Sequence, residues 1–206
     1  MKTILTTALL LAAAGARAGV DVSQTFTPDL TIPEGDPSGV VDSEAFTLGI
    51  TGGLVGGLSV DLVTSGGYNG DLYAYLVAPN GTTVTLMNQP GMTVDGFGAQ
   101  SSGMNITLAD TAGSSIQNVT GGAGTSLSGT FQADGTLAAF DGSAANGTWN
   151  LYFADLNSGG GSPVLDSWTL DVDVVPEPVN AALAVSLGVA LAVAGLRRAW
   201  GIKKAG

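Results

Sequence analysis

Residues Gly147-Thr148-Trp149-Asn150-Leu151-Tyr152-Phe153-Ala154-Asp155 place large apolar side chains at Trp149, Leu151 and Phe153, alternating with smaller or more polar ones. A period of two is the mark of a strand with one face in a core. After a Gly-rich break, Trp168, Leu170, Val172 and Val174 repeat the pattern and leave Asp171 and Asp173 together on the other face. Working outward, Leu58-Val60-Leu62 alternates with Ser59 and Asp61, and Tyr73-Tyr75-Val77 alternates with Leu72-Ala74-Leu76. Turn dipeptides punctuate these runs at Asn69-Gly70, Asn80-Gly81, Asp95-Gly96, Asp134-Gly135, Asp141-Gly142 and Asn146-Gly147. No amphipathic helix of useful length lies between them. The sequence therefore predicts an all-β, jelly-roll-like β-sandwich over residues 19–174. Residues 110–146 are poor in bulky apolar side chains, which predicts long loops with one weak strand around Leu127 to Phe131. The chain's 206 residues fit one domain with tails, and no repeat or second domain is visible.

The composition removes whole classes of chemistry. There is no histidine and no cysteine. Serine or cysteine catalysis with an imidazole base is excluded, as are thiolate or imidazole sites for zinc and haem. Disulfides are impossible. All 17 acidic residues lie between Gly19 and Pro178, and all six basic residues lie outside that stretch, so the body carries a formal charge of −17. Such a body repels phosphate backbones, which excludes nucleic acid as a partner. Two readings of the carboxylates stand: a solvating acidic surface, or a set from which some bind divalent cations and relieve the self-repulsion.

The two ends read as addresses. Residues 1–18 form a secretory signal peptide, with Lys2 as the positive start, an apolar run from Ile4 to Ala14, and a small-x-small site at Ala16-Arg17-Ala18. Cleavage there leaves Gly19 first, and the expected partners are the export translocase and signal peptidase. Residues 175–206 hold Pro176-Glu177-Pro178, an apolar run from Val179 to Leu196, then Arg197, Arg198, Lys203 and Lys204. At about 1.5 Å per residue that run spans roughly a hydrocarbon core, so a transmembrane helix in the inner membrane is expected. Basic residues stay on the cytoplasmic side, which puts the body opposite.

The order of Pro-Glu-Pro, apolar helix and basic cluster resembles the PEP-CTERM sorting signal of Gram-negative bacteria. The resemblance implies recognition of Pro176, Glu177 and Pro178 by an exosortase, a membrane cysteine transpeptidase. It also implies an association with exopolysaccharide or biofilm, with the chain ending at the cell surface or in the extracellular matrix. A permanent single-pass anchor is the plain alternative.

The body resembles the P domain, or Homo B domain, of kexin-like and bacterial subtilisin-like proteases. Tyr68-Asn69-Gly70-Asp71-Leu72 through Pro79-Asn80-Gly81-Thr82 fits its aromatic, Gly-Asp-Leu, strand, Pro-x-Gly-Thr pattern. Gly147-Thr148-Trp149-Asn150-Leu151, followed by Leu165-Asp166-Ser167-Trp168-Thr169-Leu170, fits its second pattern, and Ile32-Pro33-Glu34 is similar to its Ile-Pro-Asp opening, with Glu in place of Asp. In proteases this domain stabilises a catalytic partner and is not catalytic itself. Too few residues separate Gly19 from Ile32 for a catalytic domain, so a module standing alone is expected, with no catalytic residues.

Trp149 and Trp168 read as core anchors rather than sugar platforms. Asp71 and Asp155, at a strand start and a strand end, either cap loop amides or bind calcium, which some bacterial P domains do; Asp36 and Asp166 join them as candidate ligands. The functional expectation is a non-enzymatic exported surface or matrix module with a surface protein or exopolysaccharide as partner. The alternatives are a carbohydrate-binding module, with Tyr68, Tyr73, Tyr75 and Phe97 as stacking faces, and a glycosidase built on a carboxylate pair. Four Asn-x-Thr triplets, at Asn80, Asn105, Asn118 and Asn146, read as products of composition.

Overall fold

Trp149, Leu151, Phe153, Trp168, Leu170, Val172 and Val174 are all buried, so the alternation in the sequence is the alternation of the core. The structure is a computed structural model that describes residues 19–48, 52–96, 98–175 and 188. The strands are β1 (Val20–Phe26), β2 (Leu30–Thr31), β3 (Asp36–Phe46), β4 (Leu54–Ser65) and β5 (Leu72–Val77). They continue as β6 (Thr83–Asn88), β7 (Met104–Leu108), β8 (Leu127–Phe131), β9 (Gly147–Asp155) and β10 (Val164–Val175). Among the described residues the only helical segments of three or more residues are 3₁₀ turns at Asn69–Asp71, Ile116–Asn118 and Leu137–Phe140. The expected all-β class holds.

One sheet runs β1-β10-β4-β7-β8, with β2 also pairing β10; the other runs β3-β9-β5-β6. The strands pair antiparallel except β7 with β8, which are parallel. Trp149 and Trp168 are both fully buried. The Trp149 indole donates to the Ala145 carbonyl at 3.0 Å and meets Phe140 edge-on at 5.2 Å. The Trp168 indole reaches across to the other sheet and donates to Asp42 Oδ2 at 2.7 Å. Both tryptophans are the core anchors expected of them. Each places a large apolar body in the interior while its one polar atom finds an acceptor.

The weak strand expected at Leu127–Phe131 is β8, and the flanking loops are organised by two of the 3₁₀ turns. Asn80-Gly81 makes the β5–β6 hairpin: Ala78 and Thr82 close it, and Asn80 Oδ1 accepts from the Thr82 amide at 2.9 Å. Asn69-Gly70 behaves differently from the surface turn that its sequence suggests. Both residues are buried in a 3₁₀ turn, with Asn69 Nδ2 donating to Ser101 Oγ and to the Gly103 carbonyl, each at 2.9 Å. Gly70 lies so close to the backbone of Gly98 and Ala99 that a Cβ there would collide with it. Glycine is therefore needed for close approach rather than for a positive φ.

Among the described residues no helix is long and apolar enough to cross a membrane. Residues 1–18 and 176–206, apart from 188, lie outside the described residues, and with them Ala16, Ala18, Pro176, Glu177, Pro178, Arg197, Arg198, Lys203 and Lys204. Gly19 is described, exposed, one residue before β1. Phe97 also lies outside the described residues.

Candidate functional site

Asp155 stands two positions beyond Phe153, so the strand's own parity turns it inward, and it is fully buried. In register it faces Asp36 on β3 and Leu72 on β5. Its Oδ1 accepts the amide of Asn157 at 3.1 Å, while Oδ2 is buried and has no hydrogen-bond partner among the described residues. Asp71 closes the 3₁₀ turn just before β5; its carbonyl accepts from Leu156 N at 2.8 Å and its Oδ1 from Asn157 Nδ2 at 3.1 Å. Glu34 approaches from the loop before β3, its Oε1 accepting the amides of Gly159 at 2.5 Å and Gly161 at 3.0 Å. One loop, Asn157–Gly161, thus ties three acidic residues to one corner of the sandwich.

The electrostatics follow from burial and like charge. Burial pushes the Asp155 carboxyl up to about 6; the Asn157 and Gly35 amides oppose this, while the charges of Asp71 and Glu34 add to it. Asp71 is raised by burial first, with the Asn157 side chain opposing and Glu34 adding. Glu34 is lowered, chiefly by the Gly159 and Gly161 amides. Beside this corner opens a cleft of about 400 Å³, lined by Tyr68, Asp71, Gln100, Asn157 and Ser158 among others.

Of the four aspartates expected to bind a cation, the structure brings Asp71 and Asp155 together. Asp36 lies opposite Asp155 in register, but its Oδ1 accepts from the Ser38 amide at 2.8 Å as a local turn cap. Asp166 belongs to the other sheet, where it accepts from Ser65 Oγ at 3.0 Å. Among the described residues no three His, Cys, Asp or Glu side chains gather closely enough to hold a metal ion. Asp71 and Asp155 can still contribute to a site completed by backbone oxygens and water, since calcium takes six to eight oxygens and accepts carbonyls and waters. Glu34's membership was hidden in the sequence, because its loop partners lie more than a hundred residues away.

Residues 55–172 match the proprotein convertase P-domain. The chain belongs to the P-domain family. The chain is 36% identical over 83 residues to Leupeptin-inactivating enzyme 1 of Streptomyces exfoliatus, covering 39% of the chain and 19% of that enzyme. Two crystal structures of the Aeromonas sobria serine protease, the first in complex with the chaperone ORF2, align over 77% and 76% of the chain. Identities are 17% and 16%, TM-scores 0.47 and 0.45, and 27% of each protease chain is covered. The P domain thus spans about a fifth to a quarter of the length of these relatives.

Proposed function

We propose that this P domain is a non-enzymatic, exported, calcium-stabilised module that acts by binding at the cell surface or in the extracellular matrix. The observation that carries this reading is Asp155: a fully buried carboxylate with one oxygen unpartnered, beside Asp71 and Glu34, in a body with no Lys or Arg. A buried acid without a counter-charge is costly, and a divalent cation is the partner that would offset it. Asp155 and Asp71 would hold the ion, with Glu34 adding to the field. Bound calcium would supply charge neutralisation and cross-linking between β9 and the turn before β5. A glycosidase reading is less well supported, since Asp155 is fully buried and a catalytic carboxylate must reach its substrate.

Delivery rests on the ends of the sequence. The signal peptide, Pro176-Glu177-Pro178, the apolar run and the basic tail favour export across the inner membrane of a Gram-negative bacterium and sorting by an exosortase-type transpeptidase. An association with exopolysaccharide or biofilm belongs to the same proposal. Calorimetric titration of calcium into the full chain in mild detergent is the direct test. Saturable binding that raises the melting temperature, and is lost in Asp71→Asn/Asp155→Asn, supports the reading; no binding and no shift refute it. For sorting, Pro176→Ala/Pro178→Ala should leave the fold unchanged and abolish processing, and normal processing of that variant would contradict the exosortase assignment.

A further inference from the structure

The outward faces of β3, β9, β5 and β6 fall into rows that cross the four-stranded sheet. Val41, Tyr152, Tyr75 and Thr85 form one row, and Ser43, Asn150, Val77 and Thr83 the next. Ala154, Tyr73 and Asn88 form a third. The alternating neighbours Trp149, Leu151, Phe153, Leu72, Ala74 and Leu76 are in the core, so these rows lie on the opposite face, where Ala154 alone is buried. None of their side chains carries a charge, in a body of formal charge −17. The charge of Asp36, at the start of β3, reaches Tyr152 from the end of the strip.

The three tyrosines form one feature. Tyr75 and Tyr152 stack with ring centroids 4.5 Å apart and planes 15° apart, and Tyr73 meets them edge-on at 6.0 and 6.1 Å. The stack joins neighbouring strands, with Tyr152 on the strand next to β3 and Tyr75 on the strand next to β6. On the β3 flank stands Val41, 54% exposed. The Tyr152 hydroxyl donates to the Pro37 carbonyl, and Ser43 Oγ donates to Asn150 Oδ1 at 2.6 Å, so the ridge and the polar row beside it are held in place. Held aromatics lose little conformational entropy on binding.

The chemistry of this face selects its occupant. A cationic partner finds no counter-charge in the rows, and an anionic polymer is repelled by the body as a whole. A folded protein partner needs about 800 Å² per side around an apolar centre, and here the apolar surface is three half-buried rings and two valines. A neutral sugar chain offers C–H faces to the rings, and hydroxyls to Ser43, Asn150, Thr83 and Thr85. We infer that the tyrosine ridge on the four-stranded sheet binds a neutral polysaccharide. This rests on the uncharged rows and is independent of the calcium corner and of the sorting tail.

The test is native affinity electrophoresis of the full chain in mild detergent, in gels containing hydroxyethylcellulose, laminarin, galactomannan or alginate. The expected result is retardation by at least one neutral polymer, with affinity falling about tenfold or more in Tyr75→Thr and in Tyr73→Thr. Val41→Glu, which alters an exposed flank without touching the core, should weaken binding as well and guards against a folding artefact. Equal migration in all neutral gels, retardation by alginate alone, or retardation unchanged in all three variants would overturn the inference. So would a concentration-dependent dimer in sedimentation that Tyr75→Thr abolishes while no neutral gel retards the chain, since the face would then be covered by a second copy.

Discussion

Replacing Asp155 by Asn isolates the corner's electrostatics at nearly constant shape. Burial and the charges of Asp71 and Glu34 raise the Asp155 carboxyl from its ordinary 3.8 to about 6. Each tenfold gain in proton affinity corresponds to about 1.4 kcal/mol, so a gain of somewhat over a hundredfold makes ionised Asp155 cost the fold about 3 kcal/mol. The sign is the reverse of an ordinary stabilising carboxylate. Below pH 4 both folded and unfolded chains hold the proton and there is no penalty. Between about 4 and 6 the folded state holds more protons than the unfolded one, so this group's contribution to stability falls as pH rises, then levels off. The assay is thermal melting of wild type and Asp155→Asn in chelator across that range. The variant's advantage should grow by about 3 kcal/mol between pH 4 and pH 7, or about 6–12 °C in Tm for a domain of this size. Calcium at pH 7 should shrink the difference by stabilising the wild type alone. A difference between the two proteins that stays flat with pH would refute the reasoning.

Asp110 accepts from Thr136 Oγ1 at 2.9 Å and from the amides of Leu137 at 2.9 Å and Ala138 at 2.8 Å, capping the turn that delivers Phe140 to Trp149. Asp110→Ala should cost about 1 kcal/mol in urea melts at pH 7. Burial opposes but does not outweigh those three donors, so the carboxyl is lowered, and the cost should fade as pH drops through that lowered value. Trp168→Phe keeps a ring in the core but gives up the bond to Asp42, and should cost about 2–3 kcal/mol, read from the urea midpoint at unchanged slope. Asn69→Asp turns a donor into an oxygen facing the Gly103 carbonyl in a fully buried site. That change should cost about 3–5 kcal/mol and appear as loss of a cooperative melt.

The fold was legible because its strands bury one face each. Trp149-Leu151-Phe153 and Trp168-Leu170-Val172 state that face in the clearest terms, with large residues on one parity and small or polar ones on the other. The same parity marks Asp155 as an inward acid and Tyr152 as an outward ring, so part of both sites was written in residues 149–155. The rest depended on contacts that spacing does not encode. Nothing local tells Glu34 that it will meet the amides of Gly159 and Gly161, or sends Asp166 to the opposite sheet from Asp155. The parallel pairing of β7 with β8 was equally hidden, because Leu127–Phe131 carries Ser128, Gly129 and Thr130 and states no buried face of its own.

The pairing of β1 with β10 sets the order of events when the chain is made. Val20 lies opposite Val174, so the first strand cannot find its partner until nearly the last residue of the sandwich has been synthesised. The loop to be closed is almost the whole domain, and its entropy must be lost before any of the β1–β10 ladder forms. Folding dominated by such distant pairings takes milliseconds to seconds rather than microseconds. A nascent chain still short of β10 therefore lacks the strand that joins β1 to β4, and that sheet is completed only after the strand immediately ahead of Pro176 has emerged.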